Sequence, residues 1–546
     1  MKHVYTFAGS AALGLACAAG AQMVTGPSSS ADPYVRPVAG GPYVEVVSIL
    51  TVGDIIGGYR MLGIPDGMGA YRDDAGNMVL LCNHEFGSTA ASGTRAHQVG
   101  TGFSGGSFVS RWVVNPTPGA NFLRVLSGDD YMNQVVCATN GTGGSLFTFN
   151  RFCSADLAAP SAYYNPASGK GTMERIYLTG EEGGGGGRLI ATASMQRIGY
   201  ELLAFNPAVA AWENALARPY VSDDTVVIGT SDGGANRVYL YKGTKTNTGG
   251  PVERAGLTNG AIGGIQVQVN SVNVSSEDRT NCLGSSSPVY SGRFIITPGN
   301  TGTTFLRPED GAWDPQNPRD FYFVTTDRLD NTEAGGTQIG RSRLWRMRFD
   351  DVNNVLAGGT IEALLTGNEG QNMLDNMCVV NDHCGGARVV MQEDSGNAAH
   401  NAKTWLYTVD TDSLDLVLQS DPARFGDLTI AATAPFSADE ENSGIFDATD
   451  VLGQGWLIGC MQAHYSLPAP LFEGGQMYAV YMPAAFGGCE ADLSTPYDGS
   501  IDGTDLGILL GNWGNPGRSD LNGDGQTDGT DLGILLGAWG PCGTCN

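Results

Sequence analysis

The sequence has few charged residues, and positive charge is the scarcer sign. Charged side chains make up 16% of the 546 residues, with 30 Lys and Arg against 56 Asp and Glu, and the formal net charge is -26. An acidic surface of this kind repels phosphate backbones and anionic lipid headgroups. We therefore expect no nucleic-acid partner and no membrane-surface partner, and we expect the surface to attract divalent cations.

Long uninterrupted apolar runs are missing after the N-terminal segment. No later stretch approaches the ~18 apolar residues of a membrane span, so we expect no span in the mature chain. Glycine, in contrast, is abundant at 80 residues, which is about twice its usual share. Because an interior glycine costs a helix about 1 kcal/mol, the composition favours many short strands joined by turns.

Residues 1–21 are typical of a secretory signal peptide. Lys2 precedes an apolar stretch that ends in the small residues Ala19, Gly20 and Ala21, which form a cleavage site. We therefore expect a secreted or cell-surface protein that is cleaved near Ala21. A lipoprotein signal at Cys17 is the alternative reading.

Ten of the eleven cysteines remain after removal of the signal. In an oxidising compartment most of them should form disulfides. The pairs closest in sequence are Cys378 with Cys384, and Cys489 with Cys542 or Cys545, although connectivity does not follow from sequence alone.

The last 58 residues, 489–546, contain an internal repeat. The segment Asp502–Gly514 recurs as Asp528–Gly540 with twelve of thirteen positions identical. Ahead of the second copy, oxygen-bearing side chains occupy positions 1, 3, 5, 7, 9 and 12 of a calcium loop, and Gly525 permits the sharp turn at position 6. These six residues are Asp520, Asn522, Asp524, Gln526, Asp528 and Asp531.

The first copy of the repeat predicts a poorer calcium site. The same count places Ser494 and Pro496 at positions 1 and 3, which leaves Asp498, Asp502 and Asp505 as its acidic ligands. An apolar helix follows each loop, and the paired arrangement resembles a dockerin type I module. The resemblance implies a calcium-binding domain that attaches the chain to a cohesin-like protein partner.

Between about residue 40 and residue 485, short β-branched and aromatic runs alternate with turn residues, and six strand pairs stand out. The six pairs are 78–82 with 108–113, 175–178 with 188–191, 225–228 with 237–241, 321–324 with 343–347, 388–391 with 405–409, and 456–459 with 476–480. Repetition of such a unit predicts an all-β, six-bladed β-propeller over residues 22–488, followed by the small α-helical calcium-loop domain.

The first strand of each pair runs into a polar group, and four units carry a second acid 18 or 19 positions upstream. The four spaced pairs are Asp66 with Glu85, Glu213 with Asp232, Glu309 with Asp327, and Asp375 with Asp394; Asn442 stands in the sixth unit, whose first strand ends in His464. In a propeller these strand ends converge at one end of the channel. Converging carboxylates repel each other unless cations lie between them, so the repeat predicts a metal cluster. The alternative is that acidic residues merely open the turns after strands.

The same residues carry a family resemblance. The motifs Gly63–Gly69, Leu80–Glu85, Gly180–Gly183 and Phe305–Asp310, in this order, resemble those of the PhoX-type alkaline phosphatases. The likeness covers most of residues 40–485. It implies a propeller whose channel end holds calcium and iron and hydrolyses phosphate monoesters.

The resemblance also implies roles for individual residues. Arg307 would bind the phosphate, and Cys153 would be the thiolate ligand of iron. The implied metal-binding carboxylates are Glu181, Glu182, Glu213 and Glu309. The pattern of polar groups at the strand ends, independently of the resemblance, supplies the residues expected to support these ligands: Glu85, His84, Asp232, Asp327, Asp375, Glu393 and Asp394. For His84 the alternative is a hydrogen-bonded interior histidine.

Departures from the family keep other functions open. The signal lacks the arginine pair of a twin-arginine signal, and Cys153 is followed by Ser-Ala-Asp rather than by a small glycine-rich run. Cys153 could instead be a disulfide partner. The competing functions are a calcium-dependent lactonase or phosphotriesterase, and a calcium-stabilised propeller that binds carbohydrate or protein without catalysis.

Overall fold

The computed structural model describes residues 22–39, 41–42, 44–90, 105–136, 148–183, 186–205, 211–277, 291–382, 384–397, 400–489, 491–494, 497–515, 517–522 and 525–542. The predicted signal peptide and Asp524 of the predicted calcium loop lie outside these residues.

The strands are numbered in chain order. Five precede the first blade: β1 Gln22–Thr25, β2 Val35–Pro37, β3 Glu45–Thr51, β4 Ile55–Ile56 and β5 Tyr59–Arg60. Next come β6 Pro65–Arg72, β7 Met78–His84, β8 Phe108–Val114, β9 Val125–Asp130, β10 Gln134–Val136, β11 Phe152–Asp156, β12 Tyr164–Asn165, β13 Lys170–Gly171, β14 Ile176–Glu181, β15 Leu189–Ala193 and β16 Ile198–Glu201. The middle of the chain forms β17 Asn214–Ala217, β18 Asp224–Ser231, β19 Arg237–Thr244, β20 Ala261–Val269, β21 Val272–Asn273, β22 Ser291–Pro298, β23 Pro308–Trp313, β24 Asp320–Thr325, β25 Arg343–Phe349 and β26 Gly359–Leu365. The remainder are β27 Leu374–Asn381, β28 Ala387–Asn397, β29 Lys403–Thr408, β30 Ser413–Ser420, β31 Asp439–Asp447, β32 Trp456–Ser466, β33 Glu473–Tyr481, β34 Ser500–Ile501 and β35 Gly540–Pro541.

Helices are short and lie between or after the blades. The α-helices are α1 Pro251–Arg254, α2 Pro422–Phe425, α3 Thr449–Leu452, α4 Gly503–Gly511 and α5 Gly529–Gly537. Single 3₁₀ turns occupy Pro160–Ala162, Leu203–Phe205, Val355–Ala357 and Pro483–Phe486.

Six four-stranded antiparallel blades form the main domain. From the innermost strand outward, they are β6-β7-β8-β9, β11-β14-β15-β16, β17-β18-β19-β20, β23-β24-β25-β26, β27-β28-β29-β30 and β31-β32-β33-β3. The innermost strands pack side by side in a closed ring, in which β31 of blade 6 meets β6 of blade 1. This arrangement confirms the predicted all-β, six-bladed propeller. Each of the six predicted strand pairs forms the second and third strands of a blade.

Blade 6 is completed by a strand from the other end of the chain. Strand β3, near the N-terminus, pairs antiparallel with β33, with Glu45 opposite Tyr481. Its side chains are almost entirely buried, and Val46, Val47 and Ile49 join the core shared by blades 6 and 1. Because a strand from near the N-terminus pairs with the last blade, the circle of six blades is closed by both parts of the chain.

The tail after residue 489 has its own small apolar core. Leu509 of α4 and Leu535 of α5 are fully buried against Leu493, Ile501 and Leu521. An aspartate immediately precedes each of these two helices as its N-cap, Asp502 for α4 and Asp528 for α5. Its side chain accepts a hydrogen bond from the backbone N–H two residues later, which satisfies a free N–H group of the first turn. The disulfide Cys489–Cys542 joins the two ends of this unit.

The tail packs on blade 6 through aromatic and cationic groups. The Tyr497 hydroxyl is hydrogen-bonded to that of Tyr481 at the end of β33. The Arg518 guanidinium lies 4.9 Å from the Tyr481 ring centroid and 5.6 Å from that of Tyr497.

The cysteine pairing differs in part from the prediction. Cys489 is bonded to Cys542, as one of the two alternatives proposed. The predicted Cys378–Cys384 pair is wrong, because Cys378 is a buried free thiol. Cys378 lies in the middle of β27, whereas Cys384 lies in the turn after that strand.

Candidate metal centre

The innermost strand of every blade places one side chain that can bind a metal at the same end of the channel. These six residues, which we name the ligand ring, lie at or just before the start of the innermost strands: Asp66, Cys153, Glu213, Glu309, Asp375 and Glu441. All of them are buried except Glu441, which is half-buried. The channel end therefore combines five carboxylates and one thiol.

Irregular pairing at the strand starts helps to aim these side chains. In blades 1, 2, 4 and 5, the register between the first and second strands shifts immediately around the ring residue, as between Pro65 and Met68 of β6. A β-bulge of this kind bends the strand and redirects a side chain.

Three further acids come from the ends of second strands and complete the cluster. They are Glu85 after β7, Glu182 after β14 and Asp394 in β28. The cluster divides into four sets whose ligand atoms lie within 4.8 Å of one another: Asp66, Glu85 and Cys153; Cys153, Glu182 and Glu213; Glu213, Glu309 and Asp375; and Asp375, Asp394 and Glu441. Each set shares one residue with the next, so the sets form a continuous arc from blade 1 to blade 6.

Gln462 lies between the two ends of the arc and is hydrogen-bonded to both. Its side-chain amide in β32 donates to Asp66 at 3.2 Å, to Glu85 at 3.0 Å and to Glu441 at 3.3 Å. The two ends of the arc are thus joined through a neutral donor.

Burial and mutual repulsion disfavour the charged forms of these acids. Burial, and after it the charge of neighbouring carboxylates, raises the pKa of four ring acids well above the ordinary value: Asp66, Glu213, Glu309 and Asp375. The same causes raise the pKa of Glu182 to about 7 and that of Asp394 to about 7. Among the described residues, Asp66 Oδ1 is buried without a hydrogen-bond partner. An unpartnered buried carboxylate oxygen among repelling acids fits a cation ligand.

Glu441 differs from the other ring acids because a histidine faces it. His464 Nε2 lies 3.6 Å from Glu441, and His464 Nδ1 lies 2.5 Å from Glu473. Burial lowers the pKa of His464, but the two carboxylates outweigh burial and raise it to about 11. For Glu441, burial is outweighed by the His464 hydrogen bond, which holds its pKa below the ordinary value.

Two arginines lie on the solvent side of the cluster. Arg307 contacts Asp232 and Glu309, each at 3.0 Å. Arg151 contacts Glu85 at 2.5 Å and Glu182 at 2.7 Å.

A hydrogen bond crosses the channel immediately behind the ligand ring. The Ser154 hydroxyl of blade 2 donates to Asn376 Oδ1 of blade 5 at 2.8 Å, and both side chains are buried. Behind this bond lies a cavity of about 350 Å³ lined by the innermost strands. Since blades 2 and 5 lie opposite each other, the bond forms a floor beneath the cluster.

The structure brings most of the predicted site residues together. Cys153, Glu182, Glu213 and Glu309 lie in the cluster, and so do three residues expected only to support them: Glu85, Asp375 and Asp394. Arg307 lies at its edge, in contact with Asp232.

Glu181, a predicted metal ligand, points elsewhere. Its carboxylate pairs with the Arg188 guanidinium and accepts a hydrogen bond from the backbone N–H of Asn150 at 2.9 Å. Successive side chains of a strand face opposite sides, so Glu182 reaches the ring while Glu181 turns to the blade.

Glu393 also points away from the cluster. It accepts hydrogen bonds from Trp405 Nε1 at 2.8 Å and from the backbone N–H of Asn372 at 2.9 Å, and it lies 2.7 Å from His400. Its carboxylate is fully satisfied inside blade 5, which explains its burial without a metal.

His84 and Asp327 likewise have other partners. His84 lies 2.8 Å from the Gly63 carbonyl and 2.9 Å from the Ser110 hydroxyl, and its ring stacks on Phe108. Asp327 accepts a hydrogen bond from the backbone N–H of Arg341 at 2.8 Å.

Sequence reasoning missed two charged members of the site, Glu441 and Arg151. The prediction named Asn442 as the equivalent residue of blade 6, but the structure has its neighbour Glu441 in the ring. Glu441 precedes His464 by 23 positions instead of 18 or 19, so a fixed spacing could not find it. Arg151 was missed because its partners come from blades 1 and 2 and are not adjacent in sequence.

The second tail loop has the hydrogen bonds of a preformed loop. Asp520 Oδ2 accepts from the backbone N–H of Gly525 at 2.7 Å, and Asp531 Oδ1 accepts from that of Asn522 at 3.0 Å. Asn522, Gln526 and Asp528 are also among the described residues of this loop.

The first tail loop corrects the predicted alignment. Asp492 Oδ2 accepts from the backbone N–H of Gly499 at 3.0 Å, and Asp505 Oδ1 accepts from that of Ser494 at 3.0 Å. Asp492 is therefore the counterpart of Asp520, and Ser494 the counterpart of Asn522. Seven positions separate Asp492 from Gly499, against five in the second loop, so the first loop is two residues longer.

No protein-family model matches the chain, and no curated protein matches it. Solved structures give remote similarities. A protein of unknown function from Dyadobacter fermentans is 8% identical, with a TM-score of 0.38 and coverage of 82% of this chain and 99% of that one. The β-propeller domain of the trilobed protease from Pyrococcus furiosus is 7% identical, with a TM-score of 0.28 and coverage of 73% and 92%. The NanB sialidase from Streptococcus pneumoniae is 8% identical, with a TM-score of 0.30 and coverage of 78% and 69%. Similarities this remote carry no functional argument.

None of the helices in the described part of the chain has the length and apolar character that crossing a membrane requires.

Proposed function

We propose that the chain is a secreted, metal-dependent phosphomonoesterase of the PhoX type, attached to a protein partner through its tail. The observation that carries the proposal is the ligand ring, in which each of six blades contributes one side chain to a single buried cluster. Arg307, the residue that we propose binds the phosphate, lies at the edge of this cluster. A propeller needs no such convergence of repelling acids for its own stability.

The donor set fits calcium and iron. Hard carboxylate oxygens are the ligands that calcium prefers, and they predominate from Glu309 through Asp375 and Asp394 to Glu441. A thiolate next to carboxylates suits a transition metal such as iron, so Cys153 with Glu182 and Glu213 would hold it. Bound cations would polarise the phosphoryl group and activate the attacking water.

The chain's own contribution is to bind and orient the phosphate ester. The guanidinium of Arg307 can donate two parallel hydrogen bonds to phosphate oxygens, which lysine cannot do. The charge of Glu309 raises the pKa of Arg307 further above its ordinary value, so the side chain stays charged at every working pH. The floor formed by Ser154 and Asn376 restricts the substrate to the outer face of the cluster.

Hydrolysis of p-nitrophenyl phosphate at alkaline pH with added calcium tests this function. We expect turnover in the wild type and a loss of 10²- to 10³-fold in Arg307→Ala, as for removal of one donor that stabilises transition-state charge. Arg328→Ala is the matched control, because Arg328 is also an exposed arginine paired with an acid, Asp327, outside the cluster. Turnover of a lactone or a phosphotriester that persists in Arg307→Ala would point to the competing hydrolase. Calcium binding without any turnover would point to the non-catalytic propeller.

For the tail we propose docking onto a cohesin-like partner. The two repeated helices leave matching apolar side chains exposed, Leu510 and Trp513 after the first loop and Leu536 and Trp539 after the second. Large exposed apolar side chains arranged in duplicate suit a binding face. Binding to a recombinant cohesin-type module should require calcium and should weaken in the Trp513→Ala, Trp539→Ala double variant.

A further inference from the structure

Arg151 and Arg307 occupy equivalent positions in two blades. Each lies two residues before a ring residue, Arg151 before Cys153 and Arg307 before Glu309. Both have a left-handed backbone, with φ of 55° and 58°. Non-glycine residues adopt this conformation at a cost, and it persists where the surrounding structure imposes it.

The other blades share the position but not the charge. Ile64 of blade 1 and Met373 of blade 5 are also left-handed, with φ of 49° and 46°. The corresponding residues of blades 3 and 6 are Ala211 and Asp439. Blades 2 and 4 are therefore the two that place a base at this point.

The two guanidiniums flank the same part of the cluster. Arg151 spans Glu85 and Glu182 of blades 1 and 2, and Arg307 spans Asp232 and Glu309 of blades 3 and 4. Between them lies Glu213, which shares one set of ligand atoms with Glu182 and another with Glu309.

Both arginine side chains also remain partly open to solvent. Their side chains are 49% and 37% exposed, whereas the carboxylates that they contact are largely buried. Arg188, whose role is to neutralise Glu181, is 15% exposed by comparison. A guanidinium that serves only as a buried counter-ion does not need this exposure.

We propose that Arg151 and Arg307 form a clamp that holds one phosphoryl group from two sides above Glu213. The proposal rests on the phosphomonoesterase function and adds Arg151 to it as a second phosphate-binding residue. Two guanidinium forks match a dianionic monoester, which presents three non-bridging oxygens. A diester has two such oxygens and one charge, so the clamp selects monoesters over diesters.

Binding of inorganic phosphate to the metal-loaded full chain, measured by isothermal titration calorimetry, tests the clamp independently of turnover. Loss of charged hydrogen bonds worth about 1.5–3 kcal/mol weakens binding by about ten- to a hundredfold. We expect this loss in Arg151→Gln and in Arg307→Gln, and we expect wild-type affinity in the control Arg328→Gln. Metal content is measured on each sample.

Two further readouts separate the clamp from a structural role. Arg151→Lys keeps a positive charge beside Glu85 and Glu182 but lacks the planar fork, so it should retain the metals and still bind phosphate more weakly. The ratio of kcat/KM for p-nitrophenyl phosphate to that for bis(p-nitrophenyl) phosphate should fall in both Arg151 variants.

The outcomes distinguish the clamp from the function on which it rests. Wild-type phosphate affinity in Arg151→Lys, with Arg307→Gln impaired, would overturn the clamp and leave the phosphatase standing. A metal-loaded wild type that binds no phosphate and hydrolyses neither ester would overturn both.

Discussion

The ligand ring of the propeller and the second calcium loop of the tail gather similar side chains by opposite routes. The loop takes its ligands from the twelve residues that begin at Asp520, and backbone N–H groups already donate to Asp520 and Asp531. The ring takes its ligands from positions 66 to 441, and Asp66 Oδ1 has no hydrogen-bond partner among the described residues. The loop is stabilised locally, whereas the ring depends on the whole propeller to hold repelling charges together.

This difference predicts where a cation matters most. In the loop a cation adds to an arrangement that backbone hydrogen bonds support. In the ring a cation replaces carboxylate repulsion by attraction, so both activity and the stability of the charged state depend on it.

The largest contrast in activity between the ligand ring and the tail loop should come from Glu213, a ring residue that belongs to two of the four sets of the cluster. Glu213→Gln keeps the size of the side chain but removes its charge, and we expect it to lower kcat/KM for p-nitrophenyl phosphate by about a thousandfold. A loss of that size corresponds to several kcal/mol of charge stabilisation by the metals. Asp531→Asn, the matched change in the tail loop, should leave turnover unchanged. Equal effects of the two variants would contradict the contrast.

The next contrast concerns the pH dependence of stability after metal removal. Four ring acids, Asp66, Glu213, Glu309 and Asp375, have pKa values in the folded protein above their unfolded values of about 4. The pKa values of Glu182 and Asp394, which belong to the same cluster, are raised to about 7. The folded state then binds more protons, so stability is fully present below about pH 4 and is lost as the pH rises through 7. Thermal unfolding of the chelator-treated protein from pH 4 to 8 should show a falling Tm. Added calcium should restore it, and a Tm that rises with pH in the metal-free protein would refute this account.

A smaller contrast separates the two adjacent glutamates of blade 2. Glu181→Gln leaves the mostly buried Arg188 without its counter-ion, and we expect a loss of about 3 kcal/mol in the free energy of unfolding. Metal content should be unchanged, because the Glu181 carboxylate faces Arg188. Glu182→Gln should do the reverse, with lower metal content and a smaller change in stability in urea unfolding. Loss of metal in Glu181→Gln would return Glu181 to the ligand set.

The smallest effect should lie in the first tail loop. Asp492→Asn removes the charge at the first position of that loop, and we expect calcium affinity there to fall by about tenfold, in line with the dependence of such loops on ligand charge. Ser494→Ala, at the third position, should have a weaker effect. Calcium titration by calorimetry resolves the two, and a larger effect of Ser494→Ala would restore the alignment predicted from sequence.

The parts that could be predicted from sequence are those that repeat at a fixed interval. The six strand pairs indicated the blades, and the spacing of 18 or 19 residues singled out Asp66, Glu213, Glu309 and Asp375. Repetition works because equivalent positions in a propeller meet at one end of the channel.

The remainder depended on local geometry that spacing does not encode. Glu181 and Glu182 are indistinguishable until strand register decides which one faces the channel. Glu441 follows a different spacing, and the two additional residues of the first tail loop shifted its count by two. Arg151 became visible only when blades 1 and 2 placed Glu85 and Glu182 around it.

Metal analysis of the purified mature protein tests the central claim most directly. The account predicts iron together with calcium, and it predicts that iron is lost in Cys153→Ala. It also predicts more calcium than the tail loops can hold. The calcium outside the tail is measured in a variant in which Asp492, Asp505, Asp520 and Asp531 are replaced by Ala. If the tail variant contains no calcium and the wild type contains no iron, the ligand ring holds no metal, and this result would contradict the account.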